Sequence, residues 1–280
     1  MKNILFPTDF SDAALNAFQY TLEFAKKMNA KITLLHVYRI PIVDANMPGE
    51  LINQMSKELK EQAEKNLKNL IDNALLKPEN ADKKELEFDL LVKQGFAVDE
   101  VVYAAQHLKA DIITMGTTGA SGFREIVIGS NTSKVIAKSD IPVLAIPENA
   151  VYKHIEKIVY ASDFHETDSI ALQQLVKIAA NFDAGITILH IVESYEIVNK
   201  EKIKSLKATI QTQLNYEKIN FDFRVYSNLF DGIEEYIQTD KVDWLATLNR
   251  KRNMFEKLFN RSFTRKMAFH TKVPLLAFKE

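Results

Sequence analysis

Four of the chain's eight glycines lie within the fourteen residues from Gly116 to Gly129, in the stretch MGTTGASGFREIVIGSNTSK (115–134). Glycine adopts positive φ and lets backbone N–H groups approach an anion closely, because it carries no Cβ. A helix is predicted to start directly after these glycines, and helix N-termini favour phosphate. Its first residues are Ser130, Asn131 and Thr132. The spacing therefore indicates a phosphate-binding loop.

The glycine spacing, G-x2-G-x9-G over Gly116, Gly119 and Gly129, differs from the commoner nucleotide motifs. No G-x-x-x-x-G-K-[ST] segment is present, and no G-x-G-x-x-G follows the first predicted strand. A P-loop hydrolase and a dinucleotide dehydrogenase are therefore disfavoured. A tight turn that needs glycine only for its conformational freedom stays open as an alternative.

The composition restricts the classes of partner and chemistry. The chain has 280 residues, 46% of them hydrophobic, and a formal net charge of -1, so it offers no basic footprint for nucleic acid or anionic lipid. No apolar stretch reaches the roughly 18 residues that a membrane span needs. The absence of cysteine excludes disulfides, thiolate metal sites and thiol catalysis. We expect a cytoplasmic protein that binds neither nucleic acid nor membrane.

The sequence contains an internal duplication, whose halves we call copy one and copy two. NILFPTDFSDAA (3–14) returns as KIVYASDFHETD (157–168), and KITLLHVY returns as GITILHIV, both 154 residues later. ADIITMG matches VDWLATL and IPVLAI matches VPLLAF, both 132 residues later. The two offsets differ by 22 residues, so copy one carries an insertion. We place it at 39–84, as a longer surface helix or a dedicated binding element.

Each copy alternates short apolar runs with segments of helical periodicity. In copy one the predicted strands are 2–8, 30–37, 85–92, 111–116 and 142–146. Continuous apolar runs suit strands that are buried on both faces of a parallel sheet. The pattern predicts an α/β protein of two tandem doubly wound, Rossmann-like domains, each with a five-stranded parallel sheet flanked by helices. We place the domains at 1–148 and 153–280, with ligands at the carboxyl edge of the strands.

Several motifs together resemble the universal stress protein family, specifically its tandem-domain members. They are PTDFS after the first strand, LLHV in the second, and MG-x2-G-x9-GS before IPVLAIP. The full set covers 1–147, and a weakened version covers 155–280. The resemblance implies ATP binding by the copy that keeps the glycine motif. It implies that Pro7, Thr8, Asp9 and Val37 flank adenine and ribose, that Met115 and Gly116 back the nucleotide, and that Gly119, Gly129, Ser130 and Asn131 line the phosphates, beside Thr132.

An aspartate and a histidine recur at matched strand ends of the two copies. Asp9 returns as Asp163, and the resemblance implies that Asp9 accepts hydrogen bonds from ribose, although a carboxylate there also suits a helix cap or a turn. His36 returns as His190 without a second histidine at ligand spacing. We interpret both histidines as structural.

Copy two departs from the glycine pattern. Glycines 116, 119, 122 and 129 are replaced there by Leu248, Lys251, Met254 and Arg261. Their side chains would fill the space that phosphates need. We therefore expect a degenerate domain and one ATP per chain, although the basic residues leave open phosphate binding by side chains or contact with a protein partner.

The sequence predicts a regulatory protein of the stress response that binds ATP. No base with an orienting partner, metal-binding carboxylate cluster or activated nucleophile stands out. A slow ATPase, autophosphorylation at Ser130, Thr132 or Ser133, and a nucleotide-independent adaptor stay open as alternatives. So do the presence of magnesium, the stress concerned and the protein partner.

The fifth strands, IPVLAIP and VPLLAF, would leave apolar sheet edges if each domain stood alone. In the family resembled, such edges pair between domains. We therefore expect an intrachain pseudo-twofold pair that brings Val143 towards Leu275, with any homodimer built on other surfaces.

Overall fold

The structure is a computed structural model that describes residues 1–41, 48–117, 130–165, 167–192, 200–249 and 273–280. Its ten strands form one continuous sheet in the order β3-β2-β1-β4-β5-β10-β9-β6-β7-β8. Helices flank the sheet, as the duplication and the alternating elements predict, so the α/β doubly wound fold class is confirmed.

The described residues of copy one form five parallel strands and four α-helices. The strands are β1 (Asn3–Pro7), β2 (Lys31–Tyr38), β3 (Phe88–Gln94), β4 (Ile112–Gly116) and β5 (Val143–Ile146). The α-helices are α1 (Asp12–Met28), α2 (Gly49–Leu75), α3 (Ala97–His107) and α4 (Ser130–Lys138), with a 3-10 helix at Pro78–Lys83. β3 begins three residues later than predicted, because the 3-10 helix continues into a turn in which the Leu86 N–H donates to the Lys83 carbonyl, at 3.1 Å.

Copy two repeats this order over its described residues. Its strands are β6 (Lys157–Ala161), β7 (Gly185–Val192), β8 (Ile219–Val225), β9 (Trp244–Asn249) and β10 (Leu275–Lys279). Its helices are α5 (Asp168–Phe182), α6 (Lys200–Gln213) and α7 (Leu229–Thr239). The fourth helix that the duplication predicts for this copy falls on residues outside the described ranges.

Strand order reverses between β1 and β4, which lie side by side although two strands separate them in sequence. Alternate residues of β1 enter opposite cores: Ile4 and Phe6 belong to one apolar cluster and Leu5 to the other. This double-sided burial explains the continuous apolar run in the sequence. The reversal opens a crevice at the carboxyl edge of the sheet, between β1 and β4.

The two halves of the sheet join through their fifth strands. β5 and β10 run antiparallel, with Leu144 opposite Leu276 and Val143 opposite Ala277. Leu144 and Leu276 are equivalent residues of the duplication, so the pairing is centred as a pseudo-twofold axis requires. The expected intrachain pairing is therefore present. Val143 therefore faces the strand that carries Leu275, and both side chains belong to one apolar cluster, although the register places Ala277 directly opposite Val143.

The insertion in copy one lies where the repeat offsets predict it. α2 has 27 residues and its counterpart α6 has 14, and within the described ranges a 3-10 helix follows α2 but not α6. The buried residues of α2 are Ala63, Leu67, Leu70 and Ala74, all in its C-terminal half. No helix in the described ranges is both long and apolar enough to cross a membrane.

Candidate functional site

The carboxyl end of β1 is fixed by hydrogen bonds around Thr8. Its N–H donates to the Leu35 carbonyl at 2.9 Å, and its Oγ1 accepts from the Phe10 N–H at 3.0 Å. The Thr8 carbonyl lies 2.8 Å from His36 Nδ1. Because a carbonyl oxygen can only accept, Nδ1 carries the proton and donates. His36 therefore holds the strand end in place, as the structural interpretation of this residue expects.

Phe10 turns the chain from β1 into α1. It has a φ of 62°, in the left-handed region, and its ring lies 4.6 Å from the His36 ring. A bulky residue rarely adopts positive φ unless its surroundings impose it. The Thr8 hydroxyl, which accepts from the Phe10 N–H, and the His36 ring supply those surroundings.

Asp9 and Ser11 organise the start of α1. Asp9 Oδ1 accepts from the Ser11 N–H at 3.1 Å and from Ser11 Oγ at 2.6 Å. Ser11 caps the helix by accepting from the Ala14 N–H at 3.3 Å. Ser11 is therefore the N-cap of α1. Asp9 is exposed and takes part in this turn. Of the two roles considered for Asp9, ribose binding and a turn or cap, the structure shows the turn.

Gly116, the last residue of β4, lies directly against the first turn of α1. A Cβ built on Gly116 would lie 3.1 Å from the Ala13 carbonyl oxygen and 3.5 Å from the Ala14 nitrogen. The 3.1 Å distance to the carbonyl oxygen is shorter than an ordinary van der Waals contact, so a side chain there would push the start of the helix away. The glycine keeps the end of β4 and the N-terminus of α1 close together.

The N-terminus of α4 is tied to the same strand end. Thr132 Oγ1 donates to the Gly116 carbonyl at 2.8 Å. Thr132 is buried, and Ser130 and Asn131 before it are exposed. α4 therefore begins over the carboxyl end of β4 with its first residues open to solvent, which is the placement that an anion-binding helix N-terminus requires.

The structure brings most of the predicted site residues to one edge of the sheet. Residues from the ends of β1, β2 and β4 and from the start of α4 surround the crevice where strand order reverses; they are Pro7, Thr8, Asp9, Val37, Met115, Gly116, Ser130, Asn131 and Thr132. Met115 is buried beneath this edge, and Val37 and Pro7 are partly exposed. Gly119 and Gly129 lie outside the described residues, so their placement stays a prediction.

Copy two reproduces the β1 end almost contact for contact. The Ser162 N–H donates to the Leu189 carbonyl at 2.9 Å, and Ser162 Oγ accepts from the Phe164 N–H at 2.9 Å. His190 Nδ1 lies 2.7 Å from the Ser162 carbonyl, and Phe164 has a φ of 55°. The recurrence shows that histidine, phenylalanine and hydroxyl together form a structural unit of this fold, which does not depend on the glycine motif.

The second copy differs where Gly116 is replaced. Leu248 occupies the equivalent position and is buried in the core. α5 begins at Asp168, two residues later than the start of α1 predicts from the 154-residue offset. The other replacements, Lys251, Met254 and Arg261, lie outside the described residues.

Copy two also carries a buried carboxylate that was not predicted from the sequence. Asp168 is 1% exposed and accepts from Tyr160 OH at 2.8 Å and from Ser162 Oγ at 2.5 Å. Its counterpart in copy one is Ala14. The replacement of Ala14 by Asp168 and of Phe6 by Tyr160 could have indicated this network from the sequence. Likewise, the Asp-Phe pair that recurs in both copies could have indicated the positive φ of Phe10.

The chain resembles known proteins over its whole length. The model of the universal stress protein family matches residues 1–147 and again residues 154–279. A universal stress protein of Methanocaldococcus jannaschii is 32% identical over 148 residues, which cover 52% of this chain and 81% of the relative. A universal stress protein of Synechocystis is 24% identical over an alignment that covers 100% of both chains.

A solved structure supports the fold. The universal stress protein from Archaeoglobus fulgidus superposes with a TM-score of 0.70, covering 99% of this chain and 96% of its own, at 18% identity. Both copies of the duplication and the joined sheet therefore have a counterpart of the same architecture. With the family model matched twice along the chain, this protein belongs to the universal stress protein family, in its tandem two-copy form.

Proposed function

We propose that the protein is an ATP-binding regulator of the stress response that holds one nucleotide per chain, in copy one. The observation that carries the proposal is the close approach of three elements at Gly116. The end of β4 lies against the start of α1, and it accepts a hydrogen bond from the start of α4. A Cβ at this position would press against α1, and the position is Leu248 in copy two.

The phosphates would lie at the N-terminus of α4. The first N–H groups of a helix have no intrahelical acceptor, and the helix dipole favours negative charge there. Ser130 and Asn131 are exposed at this position. The Thr132 hydroxyl already donates a hydrogen bond to the Gly116 carbonyl, so Thr132 would bind the phosphates through its backbone N–H. Gly119 and Gly129 would supply further close backbone contacts.

The nucleoside would lie over the ends of β1 and β2. Asp9 is exposed at the strand end and would accept from the ribose hydroxyls while keeping its bonds to Ser11, because a carboxylate has lone pairs for both. Pro7, Thr8 and Val37 would flank the adenine. Met115 and Gly116 would back the nucleotide. The described residues contain no group of three or more side chains suited to a metal, so magnesium would be held mainly by the phosphates.

Calorimetric titration of the full chain with ATP, after bound nucleotide is removed, tests this proposal. We expect a ratio near one ATP per chain. Gly129→Val should weaken binding by at least about a hundredfold, because it removes two or more phosphate hydrogen bonds at about 1.5–3 kcal/mol each. Gly49→Val is a matched control, since a Cβ built there meets no heavy atom of another part of the described chain within 4 Å. A ratio near two, or equal affinities of the two variants, would contradict the assignment.

The duplication supplies a control for Asp9. Asp9→Asn keeps an acceptor for the turn but loses the charge that strengthens a ribose hydrogen bond, so its affinity for ATP should fall by about tenfold. Asp163→Asn makes the same change in copy two and should leave the affinity unaltered. Equal effects of the two variants would assign Asp9 to the turn alone.

The enzyme and adaptor alternatives predict different results with the same protein. Release of many equivalents of phosphate per chain, lost in Gly129→Val, would establish an ATPase. Phosphate that stays on the protein would indicate autophosphorylation, for which the exposed Ser130 is better placed than the buried Thr132. Failure of the native chain to bind ATP, ADP, AMP or cyclic AMP would favour the adaptor.

A further inference from the structure

The C-terminal end of α4 is hydrogen-bonded by residues of copy two. Asn249, the last residue of β9, donates from Nδ2 to the Ile136 carbonyl at 3.2 Å. Lys279, the last residue of β10, donates from Nζ to the Lys138 carbonyl at 2.9 Å. The same ammonium group pairs with Asp140 Oδ1 at 2.7 Å. Copy two therefore supplies the partners of two carbonyls in the last turn of a copy-one helix.

These contacts stabilise the C-terminal end of α4, where backbone carbonyls lack helical partners. The last carbonyls of an α-helix have no intrahelical donor, and they carry the negative end of the helix dipole. A lysine ammonium at that end satisfies one carbonyl and stabilises the dipole. The Lys279 side chain is only 25% exposed, so water screens this interaction less than it screens a pair on the open surface.

α4 is short enough for its two ends to depend on each other. It has nine residues, a length of roughly 13 Å, and helices of this size are marginal without tertiary contacts. One end is tied to copy one through Thr132 and Gly116, and the other end to copy two. Losing the contacts at the C-terminal end lowers the fraction of chains in which the first turn presents its N–H groups in helical geometry.

We propose that copy two completes the nucleotide site of copy one by capping α4, with Asn249 and Lys279 as positioning residues. The proposal rests on the proposed function, because it assigns the phosphates to the N-terminus of the same helix. The apparent affinity for a ligand falls in proportion to the fraction of protein in the binding-competent conformation. The copy without the glycine motif thus sets the ATP affinity of the copy that has it.

Lys279→Met tests the proposal in the full-length chain, since methionine keeps much of the apolar stem and removes the charge. We expect ATP to bind about three- to tenfold more weakly. Lys279→Arg keeps a donor and a charge and should restore most of the affinity. Asn249→Ala should weaken binding in the same direction, and the double variant more than either.

Lys218→Met is the matched control. Lys218 Nζ donates to the Asp183 carbonyl at 3.0 Å and pairs with the carboxylate of Asp183 at 2.6 Å, so it caps the end of α5 with the chemistry that Lys279 uses on α4. The Lys218→Met variant should bind ATP with unchanged affinity. Hydrogen exchange supplies a second readout: the α4 amides should exchange faster in Lys279→Met than in Lys218→Met, and ATP should slow them.

The outcomes separate this proposal from the proposed function. Native protein that binds ATP, with Lys279→Met and Asn249→Ala binding as tightly, would overturn the capping role and leave the nucleotide site standing. A loss in Lys279→Met that Lys279→Arg does not restore, or that Lys218→Met shares, would also overturn it. A native chain that binds no nucleotide would overturn both.

Discussion

Gly116 shows how one missing side chain decides the difference between the two copies. In copy one, α1 starts within 3.1 Å of the place where a Cβ would lie, and the Gly116 carbonyl anchors α4. In copy two, Leu248 occupies the equivalent position and is buried, and α5, the counterpart of α1, starts two residues later than the offset predicts. His36 and His190 illustrate the opposite case, because both copies keep the same contact and therefore the same structural role.

Gly116→Ala should destabilise the protein by about 1–3 kcal/mol, the usual cost of overpacking against backbone that cannot move freely. Chemical denaturation of the ligand-free chain measures the change in the free energy of unfolding. Gly185→Ala is the control, because a Cβ there would lie 3.7 Å from the Glu156 carbonyl, in ordinary contact. Equal stabilities of the two variants would show that α1 adjusts without cost.

At the scale of elements, the insertion of copy one is attached by a buried lysine. Lys83, in the 3-10 helix, is 2% exposed and donates to Glu23 Oε1 of α1 at 2.9 Å and to the Glu79 carbonyl at 2.8 Å. Burial lowers the pKa of Lys83, but the hydrogen bonds to Glu23 and Asp82 outweigh burial and raise it overall. The ammonium group therefore stays charged and joins the insertion to α1.

Lys83→Met should lower the free energy of unfolding by about 1–3 kcal/mol, because charge-assisted hydrogen bonds are lost and Glu23 loses its buried partner. Lys26→Met removes the exposed lysine that pairs with the same Asp82 and should cost less than about 0.5 kcal/mol. Urea unfolding of the two variants compares them. A larger effect of Lys26→Met would mean that burial does not decide the strength of these pairs.

At the scale of the whole molecule, the two copies share a core as well as a sheet. The only tryptophan, Trp244 of copy two, is fully buried and donates from Nε1 to the hydroxyl of Tyr20 in copy one at 2.6 Å. Phe24 of α1 and Phe182 of α5 stack with ring centroids 6.0 Å apart. The pseudo-twofold pair is therefore joined by side chains on one face of the sheet, in addition to the backbone pairing of β5 and β10.

Tyr20→Phe should destabilise the chain by about 1–3 kcal/mol, because it leaves the indole N–H of Trp244 buried without its acceptor. Tyr103→Phe removes a hydroxyl from an exposed tyrosine and should change stability by less than about 0.5 kcal/mol. Denaturant unfolding followed by the fluorescence of Trp244 reports on both. A cost below that of the control would show that water replaces the lost acceptor.

The same variant should change the response to alkaline pH. Burial raises the pKa of Tyr20 above its ordinary value of 10.0. A group with a raised pKa in the folded state stabilises the fold fully below its unfolded pKa, and this stabilisation is lost as pH rises above that value. The stability gap between the native chain and Tyr20→Phe should therefore narrow above pH 10, by about 1.4 kcal/mol per pH unit. A gap that stays constant from pH 9 to pH 11 would contradict this account.

The sequence by itself determined the fold class and the architecture of the duplication. Apolar runs at matched offsets predicted the strands of both copies, because strands buried on both faces need such runs wherever they occur. The offsets located the insertion and the glycine spacing located the candidate phosphate loop. The cap that Ser11 forms on α1 is likewise a local feature, because capping depends only on neighbouring residues.

Tertiary structure alone decided the contacts between residues that are distant in sequence. The register of β5 against β10, the hydrogen bond from Trp244 to Tyr20, and the capping of α4 by Asn249 and Lys279 join residues more than 100 positions apart. Local propensity carries no information about such pairs, since each depends on how two packed halves meet. The asymmetry at Gly116 and Leu248 was readable as a substitution, but the later start of α5 was seen only in the packed structure.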